Sequence, residues 1–203
     1  MGDPAQLTWI RRHEQRVVPW RNGGGSTRQV AIAPPDGGLG TGFAWRVSVA
    51  GVAADGPFSA LPGIDRSLWL LRGAGMDLDL DGELVRLDRP LQRLDFAGER
   101  RVSARLLDGP TEDLNVMVCR ARAAANAAVH TIREGEQHHV ALPAGEQHLL
   151  LALTGTAILF GGVLGSGDAL LVSGAGSGEL LAADGRCTFL SASFALRQPP
   201  AGS

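Results

Sequence analysis

The chain contains no lysine and no tyrosine, so all 19 of its basic side chains are arginine. Without lysine, the protein has no residue that can form a Schiff base, act as a lysine general base or serve as the lysine of a nucleotide-binding P-loop. Without tyrosine, it has no phenol that can act as an acid. Several enzyme classes are therefore excluded before any motif is considered.

Cysteine is also scarce, with only Cys119 and Cys187, which are far apart and match no metal-binding or CxxC spacing. We expect buried, reduced thiols, as is typical of a cytoplasmic protein. The first residues, MGDPAQLTW, lack the pattern of a signal peptide. The most apolar run, residues 148–164, is interrupted by threonine and glycine, which favours two strands around a turn over a membrane helix.

The balance of charge is close to neutral, with a formal net charge of -2, 44% hydrophobic and 20% charged residues. This composition is typical of a soluble globular protein. A chain of 203 residues is long enough for one large domain or two small ones. Nothing in the charge pattern predicts binding to nucleic acid or to a membrane.

Short apolar or alternating runs between glycine, aspartate and proline predict an all-β protein. The run MDLDL at 76–80 alternates strictly, and Asp81-Gly82 after it is typical of a hairpin turn. Residues 111–128 have some helix-favouring composition, but we predict a strand there followed by a loose connection. The clearest strands are predicted at 29–33, 44–50, 67–71, 76–80, 84–87, 101–107, 149–153, 157–160, 169–172 and 187–192.

A weak internal repeat relates RSLWLLRGAGMDLDL at 66–80 to HLLLALTGTAILF at 148–160. Arg66 precedes Gly73 by seven residues, and His148 precedes Gly155 by seven residues. The repeat predicts two related β-units, each of which closes its own barrel or sandwich.

Three glycines stand together in PWRNGGGSTR at 19–28. The segment lacks the lysine of a P-loop, and a strand rather than a helix follows it, which excludes nucleotide hydrolysis. Two interpretations remain: the backbone approaches a ligand or another segment closely, with N–H groups available to an anion, or the loop is a β-bulge or corner.

Polar residues occupy alternating positions on three predicted strands. Arg46 and Ser48 share one side of FAWRVSVA, opposite its apolar residues, and an inward-facing arginine would suit a carboxylate. Asp113 and Asn115 share a face of the strand that contains them, and Asp65-Arg66 is placed to orient a polar substrate. The alternatives are a solvent-facing arginine, a surface ion pair and a wet edge strand.

The five histidines show no metal-binding spacing: His138 and His139 are adjacent, and His130 and His148 are isolated. No GxSxG nucleophile motif occurs. We therefore expect no metal and no other cofactor.

Four segments together resemble the HutD/Ves family, a group similar to cupins and linked to histidine utilisation. They are PWRNGGGSTRQVAIAP, FAWRVSVAGVAADGPFSALPGIDRSLWLLRGAGMDLDL, LLDGPTEDLNVM and HLLLALTGTAILF. The resemblance covers roughly residues 7–196. It implies a bicupin, with two tandem cupin-like β-barrels: residues 1–120 form the first, which carries the pocket, and residues 121–203 form the second, packed as one unit with the first.

The resemblance also implies which residues bind a ligand, and it does not imply a metal, because the clustered histidines and glutamate of metal-binding cupins are missing. One departure is Gln29, where the family commonly has an acidic residue after its Thr-Arg. The expected ligand-binding residues are Asn22, Gly24, Thr27, Arg46, Ser48, Asp65, Arg66, Asp113 and Asn115.

The leading hypothesis is a metal-free, cytoplasmic binding protein for a small anionic metabolite resembling N-formylglutamate or urocanate, which modulates histidine catabolism. The alternative is a cupin-type enzyme, such as an isomerase, a lyase or a metal-dependent oxygenase acting on a small acid. A third hypothesis is a protein-interaction module with a vestigial pocket. The sequence is compatible with a homodimer.

Overall fold

A computed structural model describes residues 5–143, 145–174 and 176–197. The described residues contain one 3₁₀ turn, at Arg12–Glu14, and no α-helix. The strands are β1 (Gln6–Ile10), β2 (Val17–Pro19), β3 (Gly25–Ala33), β4 (Trp45–Val52), β5 (Gly56–Pro57), β6 (Ile64–Arg72), β7 (Met76–Leu80), β8 (Glu83–Leu87), β9 (Arg93–Ala97), β10 (Val102–Leu106), β11 (Thr111–Cys119), β12 (Ala123–Arg133), β13 (Gln137–Leu142), β14 (Glu146–Thr154), β15 (Ala157–Leu159), β16 (Gly162–Leu164), β17 (Ala169–Ser173), β18 (Gly176–Ala182) and β19 (Arg186–Leu196).

The chain divides into two compact units. Residues 16–122 form the N-terminal unit, and residues 123–197 together with residues 5–15 form the C-terminal unit. The sequence placed residues 5–15 in the first unit, but β1 pairs with β17 along its whole length. Arg11 also forms an ion pair with Asp168 at 2.9 Å, so the start of the chain belongs to the second unit through sheet pairing and charge.

The N-terminal unit consists of two antiparallel sheets. The first has the order β2-β3-β4-β11-β6-β9, and the second has the order β5-β10-β7-β8. Leu68 and Phe96 of the first sheet pack with Leu78 and Val102 of the second in one apolar cluster. The strand residues that share a face with Leu68 are therefore directed into the interior of this unit.

The C-terminal unit repeats this arrangement with sheets β1-β17-β14-β19-β12 and β13-β18-β15-β16. Leu150 and Phe189 of the larger sheet pack with Val140 and Leu180 of the smaller one. Each unit thus buries an apolar layer between a larger and a smaller sheet.

The predicted all-β class is confirmed, but closed barrels are not found in the described part of the chain. Each of the four sheets is open, because two of its strands have only one neighbour. The alternation of side chains along a strand is the same in an open sheet and in a barrel, so the sequence pattern does not distinguish the two.

All ten strands that the sequence predicted most clearly are present, with ends that differ by a few residues. Leu80 lies opposite Glu83 across the Asp81-Gly82 turn, as a two-residue hairpin requires. The alanine-rich segment predicted as a loose connection is instead β12, which pairs with β19 over eleven residues. Pairing with a neighbour overrode its local propensity. Within the part of the chain that the structure describes, there is no helix long and apolar enough to span a bilayer.

Candidate functional site

Five polar residues share the interior face of the six-stranded sheet of the N-terminal unit. In the strand register, Met117 lies opposite both Arg46 and Arg66, Asn115 lies opposite Ser48, and Asp113 lies opposite Ala50. Residues directly opposite each other in antiparallel strands point to the same side. Each of the five is at most 8% exposed. We call Arg46, Ser48, Arg66, Asp113 and Asn115 the polar cluster.

Arg66 is held from several directions. Its Nη2 donates a hydrogen bond of 2.8 Å to Asn115 Oδ1, and Asn115 Nδ2 donates in turn to Asp113 Oδ1. The guanidinium carbon lies 5.1 Å from the centre of the Phe58 ring and 4.9 Å from that of Phe96. Contact with two aromatic faces stabilises a cation away from water. The side chain is therefore fixed in position while keeping its charge.

Arg46 donates from Nε to Gln29 Oε1 at 3.1 Å. Burial lowers the pKa of Arg46, and burial also lowers the pKa of Arg66 to about 10, partly opposed by the charge of Asp113. Among the described residues, neither arginine forms an ion pair with a carboxylate. Both guanidiniums thus have neutral amide oxygens as hydrogen-bond acceptors.

Asp113 is completely buried. Burial raises the pKa of its carboxyl group to about 7, with the nearby Arg66 charge acting in the opposite direction. Three buried polar atoms in this region have no hydrogen-bond partner: Asp113 Oδ2, Arg66 Nε and Thr111 Oγ1. Since an unpartnered buried polar atom costs about 1–3 kcal/mol, three close together in sequence and register indicate a place for a polar molecule.

The polar cluster carries excess positive charge. Two guanidiniums remain charged at neutral pH, whereas the single carboxyl group, with a pKa of about 7, is only partly ionised. An uncompensated buried charge is unfavourable, and an anion that enters beside it removes that penalty. Arginine pairs with a carboxylate through two parallel hydrogen bonds. The arrangement is therefore suited to a small carboxylate.

The glycine loop lies between β2 and β3. Thr27 shares the interior face, since it is opposite Ala50, but its hydroxyl accepts a hydrogen bond of 2.8 Å from Trp20 Nε1. Asn22 is exposed, and its Oδ1 accepts from the N–H of Gly24 at 3.1 Å. The side chain of Asn22 thus shapes a local turn and lies outside the polar cluster.

Gly25 explains why the loop needs glycine. A Cβ atom built there would lie 2.2 Å from the carbonyl oxygen of Gly51 and 3.0 Å from the ring of Trp20. Gly24 is buried, and its carbonyl oxygen accepts from the N–H groups of Ala53 and Ala54. The close backbone approach predicted from the sequence is therefore made to the end of β4.

Asp65 and Arg66, which the sequence interpreted as an orienting pair, point to opposite sides of β6. Asp65 is exposed and pairs with Arg120 at 2.6 Å. This alternation is a direct consequence of strand geometry, and it separates Asp65 from the polar cluster.

Three residues near the polar cluster were not predicted: Thr111, Phe58 and Phe96. Thr111 was detectable, because it lies two positions before Asp113 on the same face of one strand. The two aromatic residues had no such signal, since their positions around Arg66 depend on segments distant in sequence.

A metal ion does not fit the donors of the polar cluster. The cluster has one carboxyl group and two guanidiniums, which repel a cation. Among the described residues no group of three or more histidine, cysteine, aspartate or glutamate side chains is arranged to hold a metal ion. The donors of this face therefore favour an anion over a cation.

Comparison with known proteins confirms the family resemblance seen in the sequence. A family model described as HutD matches residues 12–190. The chain belongs to the HutD family. A curated relative from Pseudomonas putida, described as an uncharacterized 21.2 kDa protein in the region 3′ of hutC, is 38% identical over 114 residues. That alignment covers 56% of this chain and 58% of the relative's length.

Solved structures resemble the chain along nearly its whole length. A conserved protein of unknown function from Pseudomonas aeruginosa has a TM-score of 0.81 at 28% identity, covering 95% of this chain and all of that one. A structure of HutD from Pseudomonas fluorescens, described as obtained in a formate condition, has a TM-score of 0.77 at 30% identity. It covers 95% of this chain and all of that one.

The cupin-like character of the fold has separate support. A cupin 2 conserved barrel domain protein from Leptotrichia buccalis has a TM-score of 0.53 at 11% identity, covering 90% of this chain and 89% of that one. At this identity the likeness concerns the fold alone. The HutD chain is therefore all-β with cupin-like neighbours.

Proposed function

We propose that the N-terminal unit is a metal-free binding site for a small carboxylate metabolite, and that binding modulates histidine catabolism. The observation that carries the proposal is the pair of buried arginines, Arg46 and Arg66, whose side-chain hydrogen-bond acceptors among the described residues are the amide oxygens of Gln29 and Asn115. A ligand carboxylate would supply the missing negative charge.

The unpartnered atoms indicate where the ligand would bind. Arg66 Nε has no acceptor, so one oxygen of a carboxylate can accept from it while the Asn115 contact at Nη2 is kept. Asp113 Oδ2 and Thr111 Oγ1 can serve a polar group elsewhere on the ligand. Metabolites resembling N-formylglutamate or urocanate combine a carboxylate with such a group.

The link to histidine catabolism rests on membership of the HutD family and on the curated relative placed 3′ of hutC. Formate, named in the description of the Pseudomonas fluorescens structure, is the smallest carboxylate and provides a simple probe. The proposed site of action is the cytoplasm, where the metabolites of this pathway would be met.

A cupin-type enzyme acting on a small acid is the second candidate, and Asp113 is the observation that favours it. A carboxyl group with a pKa of about 7 and an unpartnered oxygen is suited to general acid–base catalysis near neutral pH. Turnover of a small acid that is lost in Asp113→Asn, with binding retained, would favour this candidate.

We also propose that the two units are tandem copies of one cupin-like fold. Support comes from the similar architecture, since each unit packs a larger sheet on a four-stranded one. The internal repeat around Gly73 and Gly155 supports the same conclusion.

Thermal unfolding and titration calorimetry with formate, N-formylglutamate and urocanate test the binding proposal. A ligand at 100 times its dissociation constant stabilises the folded state by about 2.7 kcal/mol, which raises the melting temperature measurably. Arg66→Gln keeps a hydrogen-bonding side chain but removes the charge. We expect it to weaken binding about 100-fold, as for a lost buried charge-assisted contact.

Arg72→Gln is the matched control, because Arg72 lies on the same strand with its side chain 66% exposed. It should bind as the wild type does. The binding proposal fails if none of the three compounds stabilises the wild type, or if Arg66→Gln binds them equally well.

A further inference from the structure

One pair of neighbouring strands has an equivalent register in the two units: β6 with β11, and β14 with β19. In the N-terminal unit, Arg66 lies opposite Met117 and Leu68 opposite Asn115. In the C-terminal unit, His148 lies opposite Ser193 and Leu150 opposite Ser191. Since the pairs match step for step, His148 occupies the position of Arg66, and Ser191 that of Asn115.

A glycine of positive φ follows the first strand of this pair in each unit. Gly73 follows β6 with φ of +93°, and a Cβ there would lie 2.6 Å from the carbonyl oxygen of Pro110. Gly155 follows β14 with φ of +75°, and a Cβ there would lie 2.1 Å from the carbonyl oxygen of Arg186. Both glycines approach the residue just before or at the start of the partner strand, so the close approach is equivalent in the two units.

The side-chain contact is also equivalent. Arg66 Nη2 donates to Asn115 Oδ1 at 2.8 Å, and His148 Nε2 shares a hydrogen bond of 2.9 Å with Ser191 Oγ. In each unit, therefore, a nitrogen-bearing side chain on the first strand forms a hydrogen bond with a polar side chain on the second strand.

Two further histidines face the interior of the same unit, and the charge of one of them, His138, acts on His148. His130 on β12 and His138 on β13 have ring centres 4.4 Å apart, and both contact Phe189, at 5.5 Å and 5.1 Å. Their register partners, Phe189 and Leu180, belong to the apolar core, so both imidazoles face the interior. We call His130, His138 and His148 the histidine cluster.

His148 has an unused hydrogen-bonding atom. The residue is 8% exposed, and its Nδ1 is buried without a partner. His130 and His138 are half-buried, so part of the cluster is accessible to solvent. A buried ring nitrogen without a partner is costly, so the position is suited to a polar ligand atom.

Glu146, two residues before His148 on β14, lies on the same face of the strand and is half-buried. On the interior face of the larger sheet, β19 contributes the Cys187 thiol, while β17 and β1 contribute apolar residues such as Val172 and Trp9. Burial and the nearby His139 lower the pKa of His138, whereas Glu179 on β18, which pairs with His139, raises it. Burial lowers the pKa of all three histidines, that of His148 to about 4.

We propose that His148, with His138 and Ser191, forms a second site for a small oxyanion, such as a carboxylate, and that this site takes up a proton when it binds. An anion beside Nδ1 stabilises the charged imidazole, so binding and protonation favour each other. The proposal goes beyond the function of the N-terminal unit, because it concerns different residues in the other unit.

Histidine Cε1–H signals in ¹H–¹³C NMR spectra test the proposal with sodium formate as the probe. In wild-type protein, formate should shift the His148 signal at pH 5 and raise the pH at which that signal titrates. Its apparent affinity should tighten by about tenfold or more from pH 7 to pH 5, because each protonation-linked step gains up to tenfold per pH unit.

His148→Gln identifies the signal, and if that variant fails to fold, His13→Gln, His130→Gln, His138→Gln and His139→Gln assign it by elimination. Ser191→Ala should weaken the formate effect severalfold. In Arg66→Gln the His148 response should persist, so failure of the N-terminal site and failure of this one are distinguishable.

Sodium chloride at the same ionic strength controls for general salt effects. The proposal is overturned if formate leaves the His148 signal unchanged at pH 5, if chloride shifts it equally, or if the affinity does not depend on pH.

Discussion

Arg66 in the N-terminal unit and His148 in the C-terminal unit occupy equivalent strand positions, and both are less than 10% exposed. The guanidinium stays charged at every physiological pH, whereas the imidazole, with a pKa of about 4, is neutral at pH 7. One backbone arrangement therefore supports a permanent cation in one unit and a conditional cation in the other. The difference comes from a single side chain and not from the fold.

One buried group in each unit has a pKa shifted in the direction opposite to that of the other. Asp113 has a pKa raised by burial, and His148 has a pKa lowered by burial. In both cases the buried group prefers its neutral form, so an acid and a base shift in opposite senses. The direction in which stability changes with pH therefore indicates which of the two units a substitution affects.

The largest effect is expected for Asp113→Asn. The pKa of Asp113 is raised from its ordinary 3.8 to about 7, so between these values the folded state binds the proton more tightly than the unfolded chain. This contribution to the free energy of unfolding is present below pH 3.8 and lost as pH rises through 7, by about 4 kcal/mol at most. Denaturant unfolding between pH 4 and pH 8 should show that the variant loses much less stability with rising pH than the wild type does.

Asp108→Asn is the control, because Asp108 is an exposed carboxylate near the start of the same strand. It should leave the pH dependence unchanged. An Asp113→Asn protein with the full wild-type loss of stability between pH 4 and 7 would show that Asp113 is ionised in the folded state at low pH.

His148→Gln should have the next largest effect, with the opposite sign. The pKa of His148 is lowered from its ordinary 6.5 to about 4, so the unfolded chain binds this proton more tightly between those values. The contribution of this shift to the free energy of unfolding, about 3 kcal/mol, is present above pH 6.5 and is lost as the pH falls through 4. The variant should retain more of its stability at pH 4.5.

His13→Gln, an exposed position in the same unit, serves as the matched variant and should behave as the wild type does. If His148→Gln loses stability with falling pH as steeply as the wild type, the contrast between the two units is incorrect.

Gln29→Glu should weaken formate binding by the N-terminal unit about tenfold. A carboxylate in place of Gln29 would pair with Arg46, whose Nε lies 3.1 Å from Gln29 Oε1, and would compensate the charge that attracts the ligand. Calorimetric titration measures the change. Gln6→Glu, at an exposed position on β1, adds the same charge elsewhere and should change affinity less than twofold. Equal weakening in both variants would indicate a general charge effect.

The smallest effect is expected for Asn22→Ala. Loss of its hydrogen bond to the N–H of Gly24 should cost about 1 kcal/mol of stability, since the turn is exposed. Formate affinity should stay within about twofold of the wild type. A tenfold loss of affinity without a matching loss of stability would place Asn22 in the ligand site after all.

Much of the site was predictable from local patterns. Arg46 with Ser48, and Asp113 with Asn115, were placed on shared faces by the alternation of side chains along a strand, and the register confirms both pairs. Asp65 shows the limit of the same rule, because its neighbour Arg66 is directed inward and Asp65 itself pairs with Arg120 outside. Adjacent strand residues cannot serve one interior face together.

Other features were beyond local patterns. The alanine-rich segment became β12 because β19 supplied eleven residues of pairing, and residues 5–15 joined the second unit because β17 supplied a partner for β1. The aromatic faces around Arg66 come from β9 and from the segment after β5, whose positions depend on the packing of two sheets.

By itself the sequence determined the all-β class, most strands, the shared faces and the absence of lysine and tyrosine chemistry, because these depend on composition and on a two-residue period. The tertiary structure decided which faces are buried, which strands pair, and that Asp113 and His148 have shifted pKa values. The physical reason is that burial and register depend on contacts between segments far apart in the chain, and desolvation acts on a side chain only once those contacts have formed.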